Sequence, residues 1–383
     1  MNNPLKSFWM GGFESADHLN AFGDRVDFLE LTRHLQNIDS DYECLSDFAI
    51  GTVREGIRWS QIERAPYRYD FSVVKIMLRK GRKHRIQQIW DICHFGFPDD
   101  LTPLHPHFTA RFTGVCKAFV ELFLQECPGE ILIVTPINEV SFISWLGGEV
   151  KGTSPYGVCM GWEVKYALMR AYIAGIKAMK EIMPVIRILS TEPLVNVVPP
   201  LFCSAAERSL AESAHSNQFQ SIDILTGALC PELGGSPDLL DILGFNYYYN
   251  NQWIFGTGEF LKWANEDLDP RWQPFSQLLT EAFLRYRKPV VLTETSHPGK
   301  DRPKWIEFIS KESGKAISDG VPLWGICLYP IIDRPDWDDT SYWHHSGLWD
   351  EHFLASGERQ RVLVRPYADA LKQAQKMIFQ YEI

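Results

Sequence analysis

Two hydrophobic patterns alternate along the chain: short runs that are apolar almost throughout, and longer stretches in which apolar residues return at helical spacing. Eight runs of the first kind stand out: Phe8–Phe13, Thr52–Arg58, Ile86–Cys93, Ile131–Ile137, Ile186–Thr191, Ile242–Tyr247, Pro289–Thr293 and Pro322–Leu328. Each is flanked by Gly, Pro or Asp and shows little in/out alternation, as parallel strands covered on both faces do. Between them, Thr109–Cys127 and Trp162–Ile182 carry apolar stripes that predict helices, the second stopping before Pro184. Eight alternations of strand and helix predict an α/β protein, a (β/α)8 TIM barrel. Its 383 residues exceed the usual domain size but suit one barrel over 1–383, because no Gly/Ser-rich linker, repeat or low-complexity tract divides them. Val197–Gly235 and Asn251–Phe275 read as irregular connections. Trp253, Trp263 and Trp272 in the second are candidates for stacking on sugar rings, with packing of the loop itself an equal explanation.

Composition narrows the functional classes. The chain is 45% hydrophobic and 22% charged, with a formal net charge of −10 and no basic run, which argues against nucleic acid or an anionic membrane as partner. No apolar stretch approaches the roughly 18 residues of a membrane span. The N-terminal residues lack a signal-peptide pattern, so a cytoplasmic location is expected. Eight cysteines lie scattered without a Cys-x-x-Cys spacing, which points to reduced, mostly buried thiols. His344-His345 stands near Asp338-Asp339 without ligand spacing, and no Gly-x-Gly-x-x-Gly follows a strand. Neither a metal nor an organic cofactor is expected.

The candidate chemistry sits at the strand ends. Glu139 follows the run Ile131–Val134, and Glu294 closes Val290-Val291-Leu292-Thr293. A carboxylate at the tip of a buried strand is costly without a partner or a purpose. Two of them, distant in sequence, would converge at the C-terminal mouth of a barrel. Cleavage of a glycosidic bond uses such a pair, one carboxyl protonating the leaving oxygen and the other attacking or activating water. The remaining tips are polar too: Glu14 to His18, Arg58, His94, Asn138, Glu192, Asn246 to Tyr248, and Tyr329 to Asp336.

These segments resemble the family 1 glycoside hydrolases, the β-glucosidases and their relatives, over Phe8 to Leu348. Phe8–His18 is similar to the family's opening Phe-Leu-Trp-Gly-Ala-Ala-Thr-Ser-Ala-Tyr-Gln, and Gly56–Ile62 to its Arg-Phe-Ser-x-x-Trp strand. His94-Phe95-Gly96-Phe97-Pro98 looks like His-Trp-Asp-x-Pro, and Gly244–Tyr248 like Gly-x-Asn-Tyr-Tyr. Ile137-Asn138-Glu139 matches the acid/base motif, Leu292–Thr295 the nucleophile motif, and Asp333–Trp337 stands where Asp-Asn-x-Glu-Trp is expected. The resemblance implies Glu139 as general acid, Glu294 as nucleophile, and Arg58 and Tyr248 as donors to Glu294. It further implies His18, His94, Asn138, Asn246, Tyr329, Asp336 and Trp337 as sugar contacts.

The departures fall away from the chemistry. His18 stands for a glutamine, Phe95 and Tyr329 for tryptophans, Asp336 for a glutamate, and Ser346 for a phenylalanine. Such swaps change which hydroxyls can be satisfied, and an unmatched buried polar group is penalised heavily. The expectation is therefore a retaining β-glycosidase acting on a small β-linked glycoside other than a plain glucoside. A transglycosylase on the same site, and a sugar-binding protein that kept the pocket without the reaction, are the alternatives; oligomeric state is left open.

Overall fold

The computed structural model describes residues 2–264, 268–354, 358–378 and 380. Eight strands close into a barrel: β1 Trp9–Gly12, β2 Thr52–Gly56, β3 Gln87–Cys93, β4 Ile133–Ile137, β5 Arg187–Pro193, β6 Ile242–Asn246, β7 Val290–Thr295 and β8 Leu323–Leu328. Every neighbour pairs in parallel, and β1 joins β8 to complete the ring. All eight predicted runs are barrel strands, with ends that coincide or are displaced by no more than two residues. The shifts are the usual consequence of flanking turns that share the strand's composition.

The helices cover the outer faces of the strands. They include α1 His34–Leu45, α2 Ser72–Lys83, α3 Phe108–Glu126, α4 Val140–Gly148, α5 Gly161–Ile182, α6 Ala205–Ser216, α7 Gln220–Thr226, α8 Phe275–Tyr286, α9 Arg302–Ser318 and α10 Arg365–Ile378. The stretch 197–235, expected to be irregular, contains α6 and α7. Ser204 caps α6, its hydroxyl accepting from Glu207 N–H while the Glu207 carboxylate accepts from Ser204 N–H. That Ser-x-x-Glu box is a helix-start signal legible in the sequence. Among the described residues no helix is long and apolar enough to cross a membrane.

Side chains inside the barrel follow the period of two along each strand. One layer is apolar: Met10, Ile89, Ile133, Leu189, Ile242, Val291 and Cys327. Two residues further along several strands stand Asp91, Thr135, Thr191, Thr293 and Tyr329, all buried. The polar floor of the mouth therefore rests on a packed apolar plug, as in a filled barrel.

Candidate active site

Glu294 reaches the mouth through an irregularity in β7. Leu292 pairs with Phe245 of β6 and Glu294 with Asn246, so β7 gains one residue on its neighbour at this point. A slip of this kind re-aims the side chain that follows it. The carboxylate is 4% exposed, and each of its oxygens has a donor: Arg54 Nη1 at 2.8 Å to Oε1, and Tyr248 Oη at 2.7 Å to Oε2. Burial, and then the charge of Glu294, holds the Tyr248 phenol well above its ordinary range, so it remains a donor.

Glu139 lies half-buried at the end of β4, where it is the N-cap of α4 with a left-handed backbone, φ 45° and ψ 60°. Burial, and then the negative charge of Glu294, pushes its carboxyl well above the usual range, against the pull of the Asn246 amide. The two glutamates therefore stand in opposite surroundings. One is gripped by a cation and a phenol; the other is driven toward its protonated form.

The cation is Arg54. Arg58, expected to serve Glu294, instead turns to Asp27 at 2.5 Å and Glu30 at 3.5 Å. The reason is where β2 stops: Arg54 faces the barrel interior, but β2 ends at Gly56, so Arg58, with a left-handed backbone, lies in the turn beyond it. The motif quoted above places arginine five residues before tryptophan, and that spacing falls on Arg54 and Trp59; this signal points to the arginine that meets Glu294. Arg54 also reaches Asp91 Oδ2 at 2.6 Å and Asn138 Oδ1 at 3.1 Å. A cavity of about 300 Å³ beside Arg58, with Asp27, Gln61 and Arg64 in its walls, is lined by neither glutamate.

Asn138 and His94 complete this row. His94 Nδ1 lies 2.8 Å from Asp91 Oδ2, and its Nε2 lies 3.2 Å from Asn138 Nδ2. Burial opposes a charge on the ring, but Asp91 and Glu14 outweigh it and raise the pKa. The Asn138 contact fits the neutral ring, with Nε2 accepting, so protonating His94 would cost that bond. Asn246 binds Thr293, its Oδ1 accepting at 2.7 Å.

The distal side differs from expectation in its details. Tyr329 donates to Glu14 Oε1 at 3.2 Å and lies parallel to His94 with centroids 5.8 Å apart. Gly12 makes room for this ring, since a Cβ there would stand 2.0 Å from Tyr329 Cδ2. Glu14, outside the set of expected sugar contacts, is buried and forms an ion pair with Arg334, whose Nε lies 3.2 Å from Oε2. His18 is fully buried, has no hydrogen-bond partner on either ring nitrogen, and lies 4.0 Å from Trp337. Burial, and then the nearby Arg334, pushes its pKa down to about 3. Asp336 does not present a free carboxylate: Oδ1 accepts from the Asp338 and Asp339 N–H groups, and Oδ2 faces His344 Nε2 at 3.1 Å.

An aromatic wall runs from this pocket outward. Trp337 contacts Phe95 at 5.1 Å, Phe95 contacts Phe142 at 5.7 Å, and Phe142 contacts Trp145 at 5.8 Å. Trp145 is 49% exposed. Of the tryptophans proposed from sequence, Trp263 packs on Trp305 and Phe308, and Trp272 lies against Phe308, so both pin their loop to α9. Trp253 belongs to a short strand, 252–254, paired with 196–198. Asp333, His345 and Asp350 bring one ligand atom each within 4.8 Å of one another. Arg302 already forks onto Asp350 at 2.7 and 3.2 Å, so this cluster carries its own cation.

No family model and no curated protein matches the sequence. Solved structures do resemble the chain. A family 1 β-glucosidase of Thermotoga maritima, in complex with glucoimidazole, superposes with a TM-score of 0.74 at 14% identity, covering 99% of each chain. The AHE enzyme of Alicyclobacillus herbarius gives 0.70 at 16% identity, covering 91% of this chain and 88% of that one. A β-glucosidase of Exiguobacterium marinum gives 0.70 at 14%, covering 90% and 87%. The chain therefore has the barrel fold of the family 1 β-glucosidases.

Proposed function

We propose that the chain is a retaining β-glycosidase for small β-linked glycosides, with its distal sugar pocket rebuilt relative to β-glucosidases. The observation that carries this reading is the contrast between the two glutamates. Glu294, with Arg54 and Tyr248 on its oxygens, is equipped to attack the anomeric carbon. Glu139, driven toward its protonated form, is equipped to give its proton to the departing glycosidic oxygen. The C–O bond to the leaving group breaks as the Glu294–sugar ester forms. Glu139, now a carboxylate, then takes a proton from water, whose oxygen displaces Glu294 and restores the β configuration. Asn138 and His94 supply hydroxyl contacts near the reacting carbon, with Asn246 beside them. His18, Tyr329, Glu14 and Trp337 face the far edge of the ring.

The distal set supports a substrate other than plain β-glucoside. A glutamine amide offers two donors and two acceptor sites, whereas neutral His18 offers one donor and one acceptor on a rigid ring. The Glu14–Arg334 pair adds charge there, and Asp336 is committed to its own loop. Gluco-, galacto-, fuco-, manno- and xylo-configured aryl β-glycosides should be compared. A preference for β-glucoside by about tenfold, or 1.4 kcal/mol in transition-state binding, would refute the rebuilt pocket.

Mutation separates the two roles. Glu294→Ala should abolish turnover of every substrate, with azide restoring it as an α-glycosyl azide. Glu139→Ala should spare the first step for activated aryl leaving groups, which need little protonation. Identical responses of both variants to azide and to leaving-group pKa would overturn the assignment.

A further inference from the structure

We propose that Glu192 is a positioning residue for Glu139: it takes over the capping of the helix that starts there and sets a second negative charge beside the acid. This rests on the reading of Glu139 as general acid. Glu192 stands near the tip of β5 and is 2% exposed. Its Oε2 accepts from Ser141 N–H at 3.0 Å, at the second residue of α4. Glu139 is the N-cap of that helix yet makes no side-chain capping bond.

An N-cap side chain ordinarily bends back onto the first turn to satisfy an orphan N–H. A general acid that did so would have its carboxyl turned from the substrate. Glu192, arriving from the neighbouring strand, does the capping in its place. The backbones are joined at the same level, since Glu139 N–H donates to Thr191 O at 2.9 Å. A buried carboxylate is a costly cap when serine or asparagine would serve, which gives its charge a purpose.

The charge acts in the direction that general acid catalysis needs. Burial and Glu294 raise the Glu139 carboxyl most, and Glu192 adds to them, while Asn246 and Arg54 oppose. Tyr248, which also faces Glu139, stays a neutral phenol. Burial raises the pKa of the Glu192 carboxyl itself, while the Ser141 hydrogen bonds and the charge of Lys165 pull it back toward its ionised form; Tyr172 stands beside it. Lys165 donates to Gln220 Oε1 at 2.9 Å.

The test is Glu192→Gln, which keeps the length and an acceptor oxygen for Ser141 but removes the charge. Neutralising a like charge lowers the pKa of Glu139. The basic limb of kcat/KM should therefore move to lower pH by about half a unit or more. Glycosides with poor leaving groups should show this shift, and activated aryl glycosides should escape it. Glu192→Asp should restore the limb. Limb position and leaving-group ratio do not depend on how much of the variant is folded. A 13C titration of the Glu139 carboxyl in wild type and Glu192→Gln reads the same shift without turnover. Superimposable limbs and titrations would overturn the role of Glu192 and leave the glycosidase reading intact. A moved titration in a protein that cleaves no glycoside would uphold the coupling and overturn that reading.

Discussion

Arg54 holds the site together at the scale of single residues. Its guanidinium spans Glu294, Asp91 and Asn138, and it is wholly buried. Removing it would leave two carboxylates in the barrel without their counter-charge, and breaking a buried pair in this way costs about 3–5 kcal/mol. Arg54→Met should lower the denaturation midpoint accordingly and cut kcat/KM on the order of 10²–10³ or more. Arg58→Met, which loses only Asp27 and Glu30, should keep kcat/KM within about threefold of wild type, because it removes no contact to the reacting groups. Side-by-side kinetics and urea titrations decide between them; equal losses in kcat/KM would restore Arg58 to the site. The two arginines differ by four residues and by one turn of chain beyond the strand, which is why composition cannot separate them.

At the scale of elements, strands place the chemistry and helices lock the strands. Glu55, next to Arg54 and on the opposite face of β2, accepts from Tyr42 of α1 at 2.6 Å and meets His34 Nε2 at 3.0 Å. His34 Nδ1 meets Asp41 at 2.7 Å, and Arg361 from the strand 359–363 closes the network on Asp41. Burial alone would lower the pKa of His34, but Glu55 and Asp41 outweigh it and push it up to about 9 from 6.5. A raised folded-state pKa means stability that is fully present below about pH 6.5 and is lost as pH climbs toward 9. The contribution is at most roughly a few kcal/mol. His34→Gln should therefore flatten the fall of the urea midpoint between these pH values. If the variant declines as steeply as wild type, another group controls that window.

At the scale of the whole molecule, the barrel converts distant sequence positions into one mouth. Glu139 and Glu294 come from β4 and β7, which are not neighbours in the ring. Retention requires their carboxyls about 5–5.5 Å apart, against roughly 6.5–9.5 Å for inversion. The first sugar released from an aryl β-glycoside should accordingly be the β anomer, observed by proton NMR before mutarotation. Early release of the α anomer would exclude the double displacement. The wall from Trp337 to the exposed Trp145 also exists only at this scale, since it joins α4, the segment after β3 and the segment after β8.

The eight strands, the barrel and the placement of both glutamates at strand ends are legible in the amino-acid pattern alone. Those features rest on local patterns: unbroken apolar runs, helical periodicity and polar tips. Which neighbours those tips meet depends on the folded barrel. It turned Arg54 inward and Arg58 outward, because side-chain direction depends on where the strand stops. It committed Asp336 to its own loop, brought Glu14 and Arg334 together, and set Glu192 beside Glu139. It also sent Trp263 and Trp272 to pack on α9 and left Phe142 and Trp145 near the mouth. Each of these is a contact between residues far apart in the chain, fixed by barrel closure and loop packing, and no pattern within one segment encodes it.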